Sequence, residues 1–179
     1  MDWTKVYRER VTTAEEAIKT VQSGDRVFMT GNISVPKQLL GALIEGAKNL
    51  KDVELCHALT ICPSDYSRPG LEKHFRMNSL FIGASHRKAV LEGRADFTPV
   101  LLSEFPLLFQ KGVLPVDVAF IHVSKPDAHG FCSLGVEVGL SKTPAESAKV
   151  ILAEVNAPMP RTLGDAFIHV SRIKHFVEV

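Results

Sequence analysis

Short apolar runs alternate with short amphipathic segments from one end of the chain to the other. The segment "TTAEEAIKTVQSGD" reads as the first helix: Thr13 and Glu16 form a capping box, and Ala14, Ala17, Ile18 and Val21 share one face. Gly24 supplies a left-handed stop, and "RVFMT" follows as a short buried strand. Beyond the loop "GNISVP", Leu39, Leu40, Leu43, Ile44 and Ala47 recur at helical spacing, with Pro36 in the first turn of that helix. Strands are expected at "VELCHALT", "MNSLFIG", "FTPVLLS", "VDVAFIHVS" and "VILAEVN", and through "DAFIHVSRIKHFVEV". Between them lie an irregular stretch, "ICPSDYSRPGLEKHF", and helical segments at "SHRKAVLEG" and "EFPLLFQKG", closed by Gly93 and Gly112. "PDAHG" is a turn, and "FCSLGVEVG" extends from it. "TPAESAK" carries a second capping box, Thr143 with Glu146, and places Pro144 at the first helical position.

Apolar strands interleaved with capped helices predict an α/β fold: an open, mostly parallel sheet flanked by helices. No linker, low-complexity segment or composition shift divides the chain, so residues 1–179 read as one domain.

The segment "AFIHVS" occurs twice, at residues 119–124 and 166–171. Two short matches with different flanks do not make a repeat architecture. In each copy Ile and Val point one way while Phe, His and Ser point the other. The economical expectation is two strands of one sheet, with His122 and His169 as hydrogen-bonded framework.

Composition narrows the function classes. Hydrophobic residues make up 45% and charged residues 23% of the chain, and the net charge is +1 without a run of like charges, so no nucleic-acid footprint is expected. The polar opening "MDWTKVYRER" argues against a signal peptide, and no apolar stretch is long enough to span a bilayer. Cys56, Cys62 and Cys132 are three in number and form no C-x-x-C pair, which favours a reducing cytoplasm. "CHALTIC" brings Cys56, His57 and Cys62 close in sequence, but adjacent strand residues face opposite ways, so no metal site is expected.

The most informative local pattern is "RVFMTGNISVP", a strand, a glycine-containing loop and a helix start. Ligands of open parallel sheets gather beyond the strands' carboxyl ends, where helix starts present unpaired N–H groups. Gly31 permits close approach of a substrate to the main chain, Asn32 offers donor and acceptor, and Ser34 can cap the helix or meet ligand. The loop has neither the second glycine of a dinucleotide fingerprint nor the Lys-Ser of a phosphate loop. "SKPDAHGFCS" is a second candidate, with His129 and Cys132, though it reads equally as a tight reversal. Glu104 and Glu137 sit beside strand ends or glycines without a visible partner.

In "GDRVFMTGNISVP", "GRADFTPVLLSEFPLLF", "LPVDVAFIHVSKPDAHGFCSLGVEVG", "AESAKVILAEVN" and "MPRTLGDAFIHVS", the chain resembles the amino-terminal half of the acetyl-CoA hydrolase/transferase family. The resemblance implies a fold of the kind shared by CoA-transferases and ribose-5-phosphate isomerase. It also implies transfer of CoA between an acyl-CoA such as acetyl-CoA and a short carboxylic acid such as 4-hydroxybutyrate, through a glutamyl-CoA thioester. CoA and acyl-CoA are then substrates, with no permanently bound cofactor. Family members are more than twice as long, and their nucleophilic glutamate belongs to the second half, so no catalytic residue is carried onto this chain. The expected site is the acyl-side wall: Gly31, Asn32, Ser34 and Pro36, with Thr60 at the end of "CHALT". Expected partners are the carboxylate, the acyl-CoA, the carboxy-terminal CoA-transferase domain and further copies of the chain. A non-catalytic small-carboxylate or acyl-CoA binding module and an acetyl-CoA hydrolase half are the alternatives. On this reading the isolated chain is inactive, and its domain-facing surface exposes apolar side chains.

Overall fold

A computed structural model of the chain describes residues 2–61 and 65–179. Among the described residues nine strands form: β1 (Arg26–Met29), β2 (Val53–His57), β3 (Phe75–Ser79), β4 (Ala95–Phe97), β5 (Val118–Val123), β6 (Phe131–Ser133), β7 (Val150–Val155), β8 (Phe167–His169) and β9 (Ile173–Glu178). The helices are α1 (Trp3–Arg10), α2 (Ala14–Ala17), α3 (Lys37–Glu45), α4 (Arg87–Leu91), α5 (Phe105–Gln110) and α6 (Lys142–Ser147). Seven strands make one sheet in the order β4-β3-β2-β1-β5-β7-β9, while β6 and β8 pair separately. Every pairing in the large sheet is parallel, and β6 with β8 is antiparallel.

The strands are apolar on both faces because both faces are covered. Val27, Met29, Leu55, Met77, Phe120 and Leu152 pack in the core that holds Leu39, Leu40 and Leu43 of α3. Phe28, Cys56, Ala119, Ile121 and Phe176 pack in the opposite core, with Tyr7 of α1, Phe105 and Phe109 of α5 and Ala145 of α6. The alternation expected for "VAFIHV" is therefore present in β5: Phe120 and Ile121 lie in different cores.

Several local expectations give way. Helix α1 was not anticipated from the polar opening. Asp2 caps it by accepting the Lys5 N–H at 3.1 Å, and Tyr7 turns its ring onto Phe176 with centroids 4.8 Å apart. "FTPVLLS" is not a strand: β4 ends at Phe97, and the Glu104 N–H donates to the Leu101 carbonyl at 2.8 Å to start the turn into α5. Pro99 has no N–H to continue the ladder. β3 begins at Phe75 and stops at Ser79, earlier than the "MNSLFIG" pattern suggests. "FCSLGVEVG" is a strand only through Ser133, because the chain turns at Gly135, with φ 61°. The capping box at Thr143 does not form: Ser141 is the residue before α6, and Thr143 and Pro144 lie inside its first turn.

The two copies of "AFIHVS" are not two strands of one sheet. The first is β5 of the large sheet, and the second is β8 of the antiparallel pair. Their continuations separate them. His169 accepts the Ser171 N–H through Nδ1 at 3.3 Å, so the second copy closes into a turn before β9 instead of extending.

Candidate functional site

The sheet's strand order reverses beside β1, with β2 on one side and β5 on the other. Connections leaving β1 and β5 therefore part in opposite directions and open a crevice at the carboxyl ends of the strands. The loop after β1 occupies this position. The Thr30 N–H donates to the Phe120 carbonyl of β5 at 3.0 Å, and the Thr30 hydroxyl donates to the Ser34 carbonyl at 2.8 Å. A tight reversal joins the Ser34 N–H to the Gly31 carbonyl at 2.9 Å.

Asn32 adopts φ 51°, a left-handed conformation that Asn tolerates better than most residues. Its N–H donates to the Leu59 carbonyl at 2.6 Å, and its carbonyl accepts the Ile61 N–H at 3.0 Å. The loops after β1 and β2 are thus stitched together, which places Thr60 directly against Asn32. Gly31 has a different role from the one expected. A Cβ there would lie 2.2 Å from the Leu59 carbonyl oxygen, so the space beside Gly31 belongs to the neighbouring main chain and not to a substrate.

The Asn32 side chain donates through Nδ2 to the Glu137 carboxylate. Glu137 is 8% exposed, and its other oxygen accepts the Leu140 N–H at 3.4 Å. The partner missing from the sequence reading of Glu137 is therefore supplied by the β1 loop. Glu104 stays exposed just before α5.

Ser34 does not cap α3. Its Oγ is buried and has no hydrogen-bond partner among the described residues. The cap comes from β7: Glu154, 2% exposed, accepts the Leu39 N–H at 2.7 Å. Burial pushes its carboxyl up to about 7, while the N–H groups of Leu39, Gln38 and Lys37 and the Lys37 charge oppose that rise. Pro36 is buried, precedes the helix and accepts the Leu40 N–H at 3.0 Å. His122 stands opposite Glu154 in the β5–β7 ladder. Neither of its ring nitrogens has a hydrogen-bond partner among the described residues, and burial lowers its pKa, partly offset by the Ser34 main chain. His169 has the hydrogen-bonded framework expected of it, contacting the Ser171 hydroxyl at 2.7 Å and the His129 carbonyl at 3.2 Å.

Thr60 points inward. Its Oγ1 lies 3.3 Å from the Tyr66 hydroxyl and 3.2 Å from His86 Nδ1. His57 and His86 stack at 4.7 Å between centroids. Burial, then the neighbouring His86, lowers His57 to about 3, and burial lowers His86 to about 4, so both rings are neutral near pH 7. Cys56 lies in the core on the other face of β2 from His57, with its thiol pushed up to about 12 by burial. Cys62 lies outside the described residues.

The "SKPDAHGFCS" segment is a built turn. Asp127 accepts the N–H groups of His129 and Phe131, each at 2.9 Å, and Gly130 takes φ 85°. Cys132 is fully buried and its thiol is also pushed up to about 12, so it offers no thiolate to His129.

Exposed apolar side chains follow the strands' carboxyl ends: Ile33 after β1 (67% exposed), Ile61 after β2 (62%), Phe81 after β3 (59%), and Leu101 and Leu102 after β4 (67% and 71%).

This architecture has a match in sequence space. The family described as Acetyl-CoA hydrolase/transferase N-terminal domain matches residues 1–178. The chain belongs to this family. It is 45% identical over 178 residues to the 4-hydroxybutyrate coenzyme A transferase of Clostridium kluyveri, covering 99% of this chain and 42% of that protein. It is 43% identical over 164 residues to a succinyl-CoA:acetate/propanoyl-CoA:succinate CoA transferase of Fasciola hepatica, covering 90% of this chain and 34% of that protein. Among solved structures, RipA from Yersinia pestis superposes with a TM-score of 0.93 at 30% identity, over 100% of this chain and 44% of that one. This acetyl-CoA hydrolase/transferase domain thus spans less than half the length of these relatives. No helix among the described residues is long and apolar enough to cross a membrane.

Proposed function

We propose that this domain forms the acyl-side wall of a CoA-transferase that moves CoA between acetyl-CoA and a short carboxylic acid such as 4-hydroxybutyrate. The reacting glutamate belongs to a second, carboxy-terminal domain, on the same polypeptide or a partner. Its carboxylate attacks the acyl thioester, giving an acyl-glutamyl anhydride and CoA thiolate. The thiolate then attacks the glutamyl carbonyl, forming glutamyl-CoA and releasing the first acid. A second carboxylate reverses these steps and leaves as the new acyl-CoA. A carboxylate near its reference pKa of about 4 is ionised at neutral pH but weakly nucleophilic, so positioning and the binding energy of CoA must drive the attack.

In this reading Asn32 faces the acyl pocket, and Gly31, Ser34, Pro36 and Thr60 hold its loop in place. The observation that carries the proposal is the conjunction at the carboxyl edge. A rigidly stitched polar turn stands at the strand-order reversal, and a row of exposed apolar side chains borders it. Such a row is the signature of a surface built to be covered. CoA and acyl-CoA act as substrates, and no resident cofactor is invoked.

The test is an exchange assay with acetyl-CoA and 4-hydroxybutyrate. The domain alone is expected to be inactive, and the domain supplied with its carboxy-terminal half is expected to form 4-hydroxybutyryl-CoA. Turnover by the 179-residue chain alone, or none by the completed protein with any short acid, would overturn the reading.

A further inference from the structure

At the opposite edge of the sheet, where β7 and β9 begin, the structure has an open cleft of about 380 Å³. Among the described residues Arg10, Lys149, Val150, Ser171, Arg172, Ile173 and Lys174 line it, four of them cationic and none acidic. β7 runs for 6 residues from Val150 to Val155, so the cleft lies about 17–20 Å from the carboxyl edge. It is separate from the proposed acyl site.

These cations retain unused donors. Arg10 holds the Val170, Ser171 and Ile173 carbonyls through Nη1 alone, at 2.9, 3.3 and 2.5 Å. Its Nε and Nη2 have no partner among the described residues. Arg172 uses only Nη2, to the Glu146 carbonyl at 3.0 Å. Lys149 pairs with Asp117 at 2.7 Å. Lys174 has no ion pair or side-chain hydrogen bond among the described residues.

The backbone adds an independent sign. Along the β7–β9 ladder Ile151 faces Ile173 and Leu152 faces His175, which leaves Lys174 as an extra, bulged residue. Bulges interrupt a ladder in order to re-aim a side chain, and this one accompanies Lys174 in the cleft lining. Half-buried His175 also registers the local field: burial lowers its pKa first, and the charges of Lys174 and Arg10 lower it further, against Glu16.

We infer that this cleft is a binding site for the phosphate or diphosphate group of a small metabolite. Two arginines and two lysines at one hollow, with Lys174 and two Arg10 nitrogens unpaired among the described residues, suit an anion with several oxygens and more than one charge. The volume lies in the range of small-molecule sites.

The probe is inorganic pyrophosphate, titrated calorimetrically into the 179-residue chain at low ionic strength. Saturable binding is expected, weakening steeply with added salt. Lys174→Glu and Arg172→Glu should each weaken it about tenfold or more, as expected for loss of one charge-assisted contact. Both side chains are exposed, and circular dichroism checks that the variants fold. Amide chemical shifts on the unmodified chain give a second reading, independent of any variant: residues 149–151 and 171–174 should move. Competition by acetyl-CoA would identify the phosphates of CoA as the ligand's source, and its absence would identify a free phosphate compound. Absence of saturable pyrophosphate binding, affinity unchanged in both variants, or shifts confined to residues 31–34 and 59–61 would overturn the site.

Discussion

Asn32 donates its side-chain amide to the Glu137 carboxylate across 105 residues of sequence. This bond ties the loop after β1 to the segment after β6 and fixes which way the Asn32 carboxamide faces. Asn32→Ala removes the bond and places Ala at φ 51°. Stability should fall by about 2–3 kcal/mol, from the unsatisfied carboxylate and the left-handed backbone. Glu137→Gln keeps an acceptor for the amide and should cost much less. Urea denaturation of the two variants decides it, and equal losses would mean the bond is incidental.

Gly31→Ala tests the stitched loops. The new methyl would meet the Leu59 carbonyl oxygen at 2.2 Å, well inside contact distance and against main chain, which cannot rotate away. A destabilisation of about 2–3 kcal/mol is expected from overpacking. In amide exchange, the Asn32 and Ile61 N–H groups should lose protection first. Wild-type stability for this variant would show that the two loops do not close as described.

Glu154 gives stability a pH dependence of defined sign. Its folded carboxyl holds a proton up to about pH 7, against an ordinary value of 4.5. Between those values unfolding releases a proton, so this group's contribution falls as pH rises through the window, by at most about 1.4 kcal/mol per pH unit. Glu154→Gln preserves the acceptor for the Leu39 N–H and should remove that slope. Denaturation midpoints at pH 5, 6 and 7 for both proteins provide the comparison, and parallel profiles would refute it.

The buried histidines act in the opposite direction. His57 and His86 titrate near 3 and 4 when folded, below the usual 6.5. From about pH 4 to 6.5 the unfolded chain therefore binds the extra protons. Stability is fully present above 6.5 and is lost as pH falls, by up to about 1.4 kcal/mol per pH unit for each ring. His86→Asn should flatten the acid limb of the stability curve. An unchanged limb would show that His86 is solvated in the native state.

The exposed apolar row at the carboxyl edge predicts self-association of the isolated domain. Light scattering should show concentration-dependent oligomers, and Leu102→Asp with Phe81→Asp should reduce them. A monomer at all concentrations would remove the argument that this edge is built to be covered.

The sequence revealed the order of elements better than their limits. Thr13 capping α2, Gly112 following the end of α5, and the alternating cores of β5 all follow from contacts within a few residues, where local rules operate, whereas the helical segment at α2 stops by Thr20 and Gly24 serves the turn before β1. The "FTPVLLS" error has a physical source: a β-like composition produces no strand without a neighbour, and β4 pairs on one side only, with β3. Likewise "AFIHVS" codes for an alternating strand in both places, but its partners, β1 and β7 in one case and β6 in the other, are a tertiary matter.

The same division runs through the candidate site. The residue sequence by itself determined that a polar, glycine-bearing turn follows a buried strand and precedes a helix, because strand burial, turn chemistry and helix starts are short-range properties. Only the tertiary structure decided that Gly31 makes room for Leu59, that Glu154 caps α3, and that Glu137 meets Asn32. Those partners lie 28, 115 and 105 residues away in the chain. A hydrogen bond or a steric contact depends on distance in space, which chain spacing does not encode until the sheet has assembled.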